Sequence, residues 1–340
     1  MHVNVSRRGH PGKSGAGYWA KHELIETAAP RPAGTAPAVL PADMRAGPAH
    51  PPTRTNQRFH GGDDMPEVHT RGGARIRYDD TGQGEPALLF IPGWCTTRAS
   101  FQKLIPRCSA FRRALSVDIR GHGESEGGGT DFDSTTVLED LLAVVEASGA
   151  RHIVPVAMSH AGWWALDLRR ALGPARVPRM VLLDWIATEP TPAFLRAVRG
   201  LQTERWSKVR DSLLQGWLEG LDDDAIHRFV RDDMGAFDEA MWARAGREIE
   251  AAYAREGSPL RALAALEPMP LTMHLYARPE SHDYLAAQVD FGAEHPGFHV
   301  LKLPATSHFP ALEVPAMVAA GIEALVSARE VPVHADAVPA

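Results

Sequence analysis

The stretch His152–Leu172, HIVPVAMSHAGWWALDLRRAL, decides the fold. Ile153–Met158 is a short, continuous apolar run, the composition of a strand buried on both faces. From Gly162 onward the apolar positions recur with the period of a helix. Only Ser159–His160–Ala161 separates the two, so the strand must pass into the helix through a sharp turn, with Ser159 at its apex. A serine in this strand–turn–helix context presents its hydroxyl at the carboxyl edge of a sheet. The usual elbow carries glycine two residues before and after the serine, where small size lets the turn pack. Here Ala157 and Ala161 stand at those places and Gly162 follows.

Working outward, the same alternation recurs. ALLFIPG (87–93), RALSVDIRGHG (113–123), RMVLLDW (179–185), LTMHLYARPE (271–280) and HVLKLPATSH (299–308) read as further strands, and ARIRYDD (74–80) as an alternating one closed by the turn signal TGQGEP. DSTTVLEDLLAVVEASGA (133–150) is a helix opened by a Ser or Asp cap. Strands alternating with helices predict an α/β fold built on a mostly parallel, doubly wound sheet. Between Trp185 and about Leu266 the strand signal vanishes and only helical patterns remain. Roughly eighty residues is too long for one crossover, so the segment predicts a helical cap inserted over the strand ends. The expected organisation is a disordered tail over 1–64, core over 65–187, cap over 188–266, core again over 267–329 and a flexible tail over 330–340.

Composition narrows the function classes. The 340 residues are 44% hydrophobic and 23% charged with a net charge of −6, which suits a globular protein and gives no electrostatic case for nucleic acid or an anionic membrane. No apolar run approaches the ~20 residues of a spanning helix, and the first residues lack the apolar core of a secretory signal. Two cysteines, Cys95 and Cys108, make neither a disulfide framework nor a zinc spacing. A soluble cytoplasmic protein is expected. Residues 1–64 hold 8 Pro and 8 Gly and carry a net +3, too little apolar content to offset the entropy of ordering.

Chemistry gathers at the strand ends. Ser159 is one candidate. His308, in ATSHFPALEVP (305–315), follows the last strand and precedes a helix; a histidine in that place closes the chain order serine, acid, histidine of α/β-hydrolases. The loop FIPGWCTTRASF (90–101) is where such a fold takes one backbone N–H of an oxyanion site, here that of Trp94, with the N–H of His160 as the second. Asp118, Arg120 and His122, in DIRGHGES, are read as loop-fixing residues. The acid has three candidates, all ahead of His308 in the chain. Glu280 and Asp283 follow the strand that usually carries it, whereas Asp184 directly ends an apolar strand, which would hold it rigidly at the sheet edge.

FIPGWC, RGHGES, SHAGWW, LLDW, TERWSKVRDSLLQGWLEG (203–220), REIEAAYAREGSPLRAL (247–263) and HFPALEVP together resemble the cofactor-free 2,4-dioxygenases of 3-hydroxy-4-oxoquinolines, over residues 70–328 and including the cap. The resemblance implies an α/β-hydrolase fold with an oxygenase reaction. A His–Asp dyad, His308 and Asp184, would ionise the substrate's 3-hydroxyl. The resulting anion would react with dioxygen without metal or cofactor, and a bicyclic peroxide would collapse to carbon monoxide and an N-acylanthranilate-type product. Ser159 would orient the substrate, Trp94 and His160 would flank its carbonyl oxygen, and Trp217 of the cap would line the pocket. In the quinaldine enzyme of that family, histidines stand where this chain has Thr96 and Met158, so the substituent at the substrate's 2-position stays open. Two other classes compete: a serine hydrolase acting on an ester or amide, and a non-catalytic binder of small aromatic ligands.

Overall fold

Six apolar runs of the sequence become neighbouring parallel strands. The computed structural model describes residues 65–328 except 72 and 128–130, so the segments 1–64 and 330–340 lie outside the described residues. Its strands are β1 (Glu67–His69), β2 (Arg75–Thr81), β3 (Ala87–Ile91), β4 (Ala114–Val117), β5 (Ile153–Met158), β6 (Arg179–Leu183), β7 (Leu271–Tyr276) and β8 (Phe298–Lys302). They form one sheet in the order β1-β2-β4-β3-β5-β6-β7-β8. β1 and β2 pair antiparallel at one edge, and β3 to β8 run parallel. Every residue of β3, β4, β5 and β6 is buried, as expected of strands covered by helices on both faces.

Chain order and sheet order part company at β3. The chain winds from β3 outward to β4, then returns past β3 to β5 and continues to β8. That reversal opens a crevice at the carboxyl ends of β3 and β5, the place where open α/β sheets bind ligands. Helix Ser134–Ser148 begins where Asp133 accepts a hydrogen bond from the Thr136 amide and ends at Gly149 in the left-handed region. Helix Gly162–Arg176 leaves the end of β5 after a single 3₁₀ turn, Ser159–Ala161.

Between β6 and β7 the chain forms helices Pro192–Gly200, Trp206–Leu218, Asp224–Arg228, Glu239–Glu256 and Pro259–Ala264, with a π-helical turn at Phe229–Met234. Thr191, Asp223, Asp238 and Ser258 cap four of them with side-chain oxygens. Helix Glu239–Glu256 is tied to the loop before Ser134: Arg244 donates to Asp131 at 2.6 Å and lies 4.1 Å over the Phe132 ring. Among the described residues no helix is long and apolar enough to cross a membrane.

Candidate active site

Three strand ends and one loop converge on the crevice, and three of the converging residues share a strained backbone. Cys95, Ser159 and Asp184, which follow β3, β5 and β6, are the non-glycine residues of the described chain with positive φ, at 56°, 53° and 47°. Left-handed backbone at non-glycine residues costs free energy and persists where surrounding contacts over-determine it. At Ser159 it makes the sharp elbow that the sequence required. The turn is crowded: a side chain on Gly93 would come within 3.2 Å of the Met158 carbonyl and 3.5 Å of Ser159 Cβ. The main chain at Trp94 therefore runs directly beside the serine.

His308 follows β8 on a loop pinned from two sides. The Glu313 carboxylate accepts from the amides of Thr306 and Ser307 and from the Ser307 hydroxyl, and the Arg278 guanidinium donates to the Thr306 carbonyl. The His308 ring meets Asp184, its Nδ1 lying 2.6 Å from Oδ2. The other Asp184 oxygen accepts from the amides of Ala277 and Arg278, at 2.5 and 2.9 Å. Three donors thus fix a carboxylate that is almost wholly buried. The carboxylate orients Nδ1–H toward itself, which leaves Nε2 as the basic nitrogen of the ring. Glu280 and Asp283 are exposed and make no hydrogen bond to His308. No hydrogen bond joins Ser159 to His308 among the described residues.

Aromatic rings line this centre. Trp217 stacks on the His308 ring at 5.0 Å and 24°. Trp94 is buried, with its indole stacked near Phe132 at 6.1 Å and tilted against Trp164 at 5.1 Å. The His160 ring lies between Phe194 at 5.5 Å and Tyr253 at 5.7 Å, and its Nδ1 is shut off from solvent without a partner. Burial, and next the nearby His308, push the His160 imidazole down to about 3, so it is neutral at ordinary pH. Thr96 is buried with its hydroxyl on the Gly93 carbonyl at 3.0 Å, and Met158 is buried as the last residue of β5.

The DIRGHGES motif is scaffolding with a wider reach than its own loop. Asp118 accepts from the amides of Arg98 and Glu124, and Arg120 makes a buried two-pronged pair with Asp140 at 2.6 and 2.7 Å. His122 bridges to the next loop, accepting from the Cys95 amide at 3.0 Å. The sequence reading passed over His274, Phe132, Phe194 and Tyr253. The one available signal was His274, a titratable residue inside the mostly apolar strand β7.

The family model described as "Alpha/beta hydrolase family" matches residues 88–321. The chain is 37% identical to the 2-heptyl-3-hydroxy-4(1H)-quinolone dioxygenase of Mycobacteroides abscessus, across 78% of this chain and 100% of that one. It is 35% identical to the 1H-3-hydroxy-4-oxoquinoline 2,4-dioxygenase of Pseudomonas putida, across 75% of this chain and 97% of that one. A solved structure of an AqdC variant in complex with its substrate, from work on recognition and ring-cleavage of the Pseudomonas quinolone signal, superposes with a TM-score of 0.74. That structure is 35% identical, across 78% of this chain and 100% of the other.

Proposed function

Because the chain belongs to the 3-hydroxy-4-oxoquinoline 2,4-dioxygenases of the alpha/beta hydrolase family, we propose that it cleaves the heterocycle of a 3-hydroxy-4-oxoquinoline, 2-alkylated or unsubstituted, with dioxygen. The products are carbon monoxide and an N-acylanthranilate-type acid. The observation that carries the reading is the origin of the acid: His308 pairs with Asp184 at the end of β6, not with a carboxylate after β7.

The chemistry follows from that pair. His308 Nε2 takes the proton of the 3-hydroxyl, and Asp184 holds the ring's tautomer and stabilises the imidazolium that forms. The electron-rich anion then donates to dioxygen. Oxygen bridges the carbons at positions 2 and 4, and the bridged peroxide breaks so that the carbon at position 3 leaves as carbon monoxide. Both oxygen atoms stay in the acid. Ser159 and the amides of Trp94 and His160 hydrogen-bond the substrate's oxygens. Trp217, Trp94, Phe194 and Tyr253 suit a flat bicyclic ring and exclude water from a reactive anion. The cytoplasm is the inferred place of action, since both cysteines are free, buried thiols.

The strained elbow at Ser159 favours a second reading, a serine hydrolase. That chemistry needs the nucleophile within hydrogen-bond reach of its base, and Ser159 makes no bond to His308. Incubation with 3-hydroxy-4-oxoquinolines bearing hydrogen, methyl or heptyl at position 2, in air and without oxygen, separates the two. Oxygen-dependent release of carbon monoxide supports the dioxygenase; no oxygen-dependent turnover of any of the three overturns it.

A further inference from the structure

Two buried histidines outside the dyad make matching contacts with the backbone of the site. His122 Nε2 lies 3.0 Å from the Cys95 amide nitrogen, and His274 Nε2 lies 3.2 Å from that of Trp185. A peptide N–H only donates, so both Nε2 atoms are acceptors and carry no proton. The other ring nitrogens agree. His122 Nδ1 faces the Arg120 carbonyl at 2.9 Å, which only accepts. His274 Nδ1 faces Gln288 Oε1 at 2.5 Å, and Gln288 is oriented by its own amide nitrogen donating to the Tyr284 carbonyl. Each ring is therefore a neutral Nδ1–H tautomer. Both are almost wholly buried.

The amides they hold belong to the site. Cys95 and Asp184 are two of the three non-glycine residues of the described chain in the left-handed region. His122 anchors the amide at Cys95, next to Trp94; His274 anchors the amide just after Asp184. We propose that His122 and His274 are positioning residues of the reaction, neutral imidazoles that hold the Trp94–Cys95 and Asp184–Trp185 turns in the geometry catalysis uses. The reaction meant is the dioxygenase reading above.

Their surroundings keep them neutral. His122 is faced by the rings of Trp94 and Phe237, by Cys95, by the Arg120 main chain and by Arg244 of helix Glu239–Glu256. His274 is faced by Gln288, Tyr276 and, at longer range, Asp184. Burial pushes both imidazoles down to about 4. A protonated ring would point a donor at a donor and release the turn.

The tautomers are read directly by NMR of the wild-type protein with ¹⁵N-labelled histidine. Neutral Nδ1–H rings at both positions at pH 7, still neutral at pH 5.5, are expected; an Nε2–H tautomer or a charged ring at either position overturns the proposal. Kinetics on one quinolone then assign the role. His122→Leu and His274→Leu should each cut kcat about tenfold to a hundredfold through a misplaced turn, with KM changed less than about threefold. The Gln variants, which offer Oε1 near the Nε2 position, should recover most of the loss. The His274→Leu defect should shrink as pH rises, because it acts through the base and the substrate hydroxyl ionises in solution. The His122→Leu defect should persist at every pH. Unaltered kcat in the Leu variants, or equal loss in Gln and Leu, refutes the role. A wild-type chain that cleaves no quinolone would instead refute the function, and the NMR tautomers would still report on the contacts.

Discussion

Replacing Gly162 by alanine tests how tightly the elbow, the indole beneath it and the acid are coupled. Gly162 opens the helix after Ser159. A Cβ there would stand 2.2, 2.4 and 2.6 Å from Cε3, Cζ3 and Cδ2 of Trp185. Carbon atoms rest at about 3.5–4.0 Å, so the indole would have to retreat by roughly 1.3 Å or more. It has no room: Trp185 is fully buried and edge-on to Trp163 at 4.8 Å. Its main chain is bonded to His274 on one side and to the Tyr284 hydroxyl, at 2.5 Å, on the other. The strain therefore passes to Asp184, the preceding residue. Overpacking of this kind costs about 1–3 kcal/mol, a fall of roughly 3–10 °C in melting temperature for a domain of this size. Calorimetry and kcat on one quinolone should both fall in Gly162→Ala. Gly216→Ala is the control, since a Cβ there meets nothing within 4 Å, and it should raise stability by up to about 1 kcal/mol through helix propensity. A Gly162→Ala protein with wild-type melting temperature and kcat would refute the coupling.

The dyad yields a sharper contrast. His308→Ala should nearly abolish turnover at neutral pH, with the defect shrinking as pH rises. Asp184→Asn should be milder with the same trend, and Glu280→Gln and Asp283→Asn nearly silent; loss in either of the last two with an unaffected Asp184→Asn would move the acid to β7. Ser159→Ala should cost about tenfold to a hundredfold, on the order of 1.4–2.8 kcal/mol, and a fluorophosphonate should label the wild type poorly; stoichiometric labelling with parallel loss of activity would point to an acyl-enzyme. Acid should destabilise the fold through His122 and His274. Their imidazoles are held down to about 4 against an ordinary 6.5, so the unfolded chain binds more protons between those values. Stability should be fully present above about pH 6.5 and lost as pH falls toward 4, by up to about 3 kcal/mol for each ring. Chemical denaturation across that window reads it, and a flat profile would show that the rings are not buried and neutral.

Much of the molecule was legible because its signals are local. The runs at Ala87–Ile91, Ile153–Met158 and Arg179–Leu183 announce buried parallel strands by composition alone, and Asp133 announces the helix it caps. Ser159 was legible from the strand–turn–helix around it. The acid was not settled by local signals, because Asp184, Glu280 and Asp283 all precede His308 and the choice depends on which strand end lies near β8's loop in space. The supporting residues were the least visible. Phe132 matters through Trp94 and Arg244, partners 38 and 112 positions away, and His274 matters through an amide 89 positions earlier in the chain. In the sequence Gly162 is only the residue that follows Ala161; its reason for being there is the face of Trp185.

Left-handed backbone at Cys95, Ser159 and Asp184 sets a direction for laboratory evolution of this enzyme. Each such residue stores on the order of 1–3 kcal/mol, and glycine adopts the same conformation without that penalty. A library screened for heat tolerance alone would be rewarded for glycine at 159, discarding the hydroxyl that the proposed chemistry uses, whereas at 184 the three donors held by the carboxylate oppose the exchange. Thermal hardening of this scaffold therefore has to be selected together with turnover, or confined to the sheet edge and the outer helices, where durability and activity do not draw on the same residues.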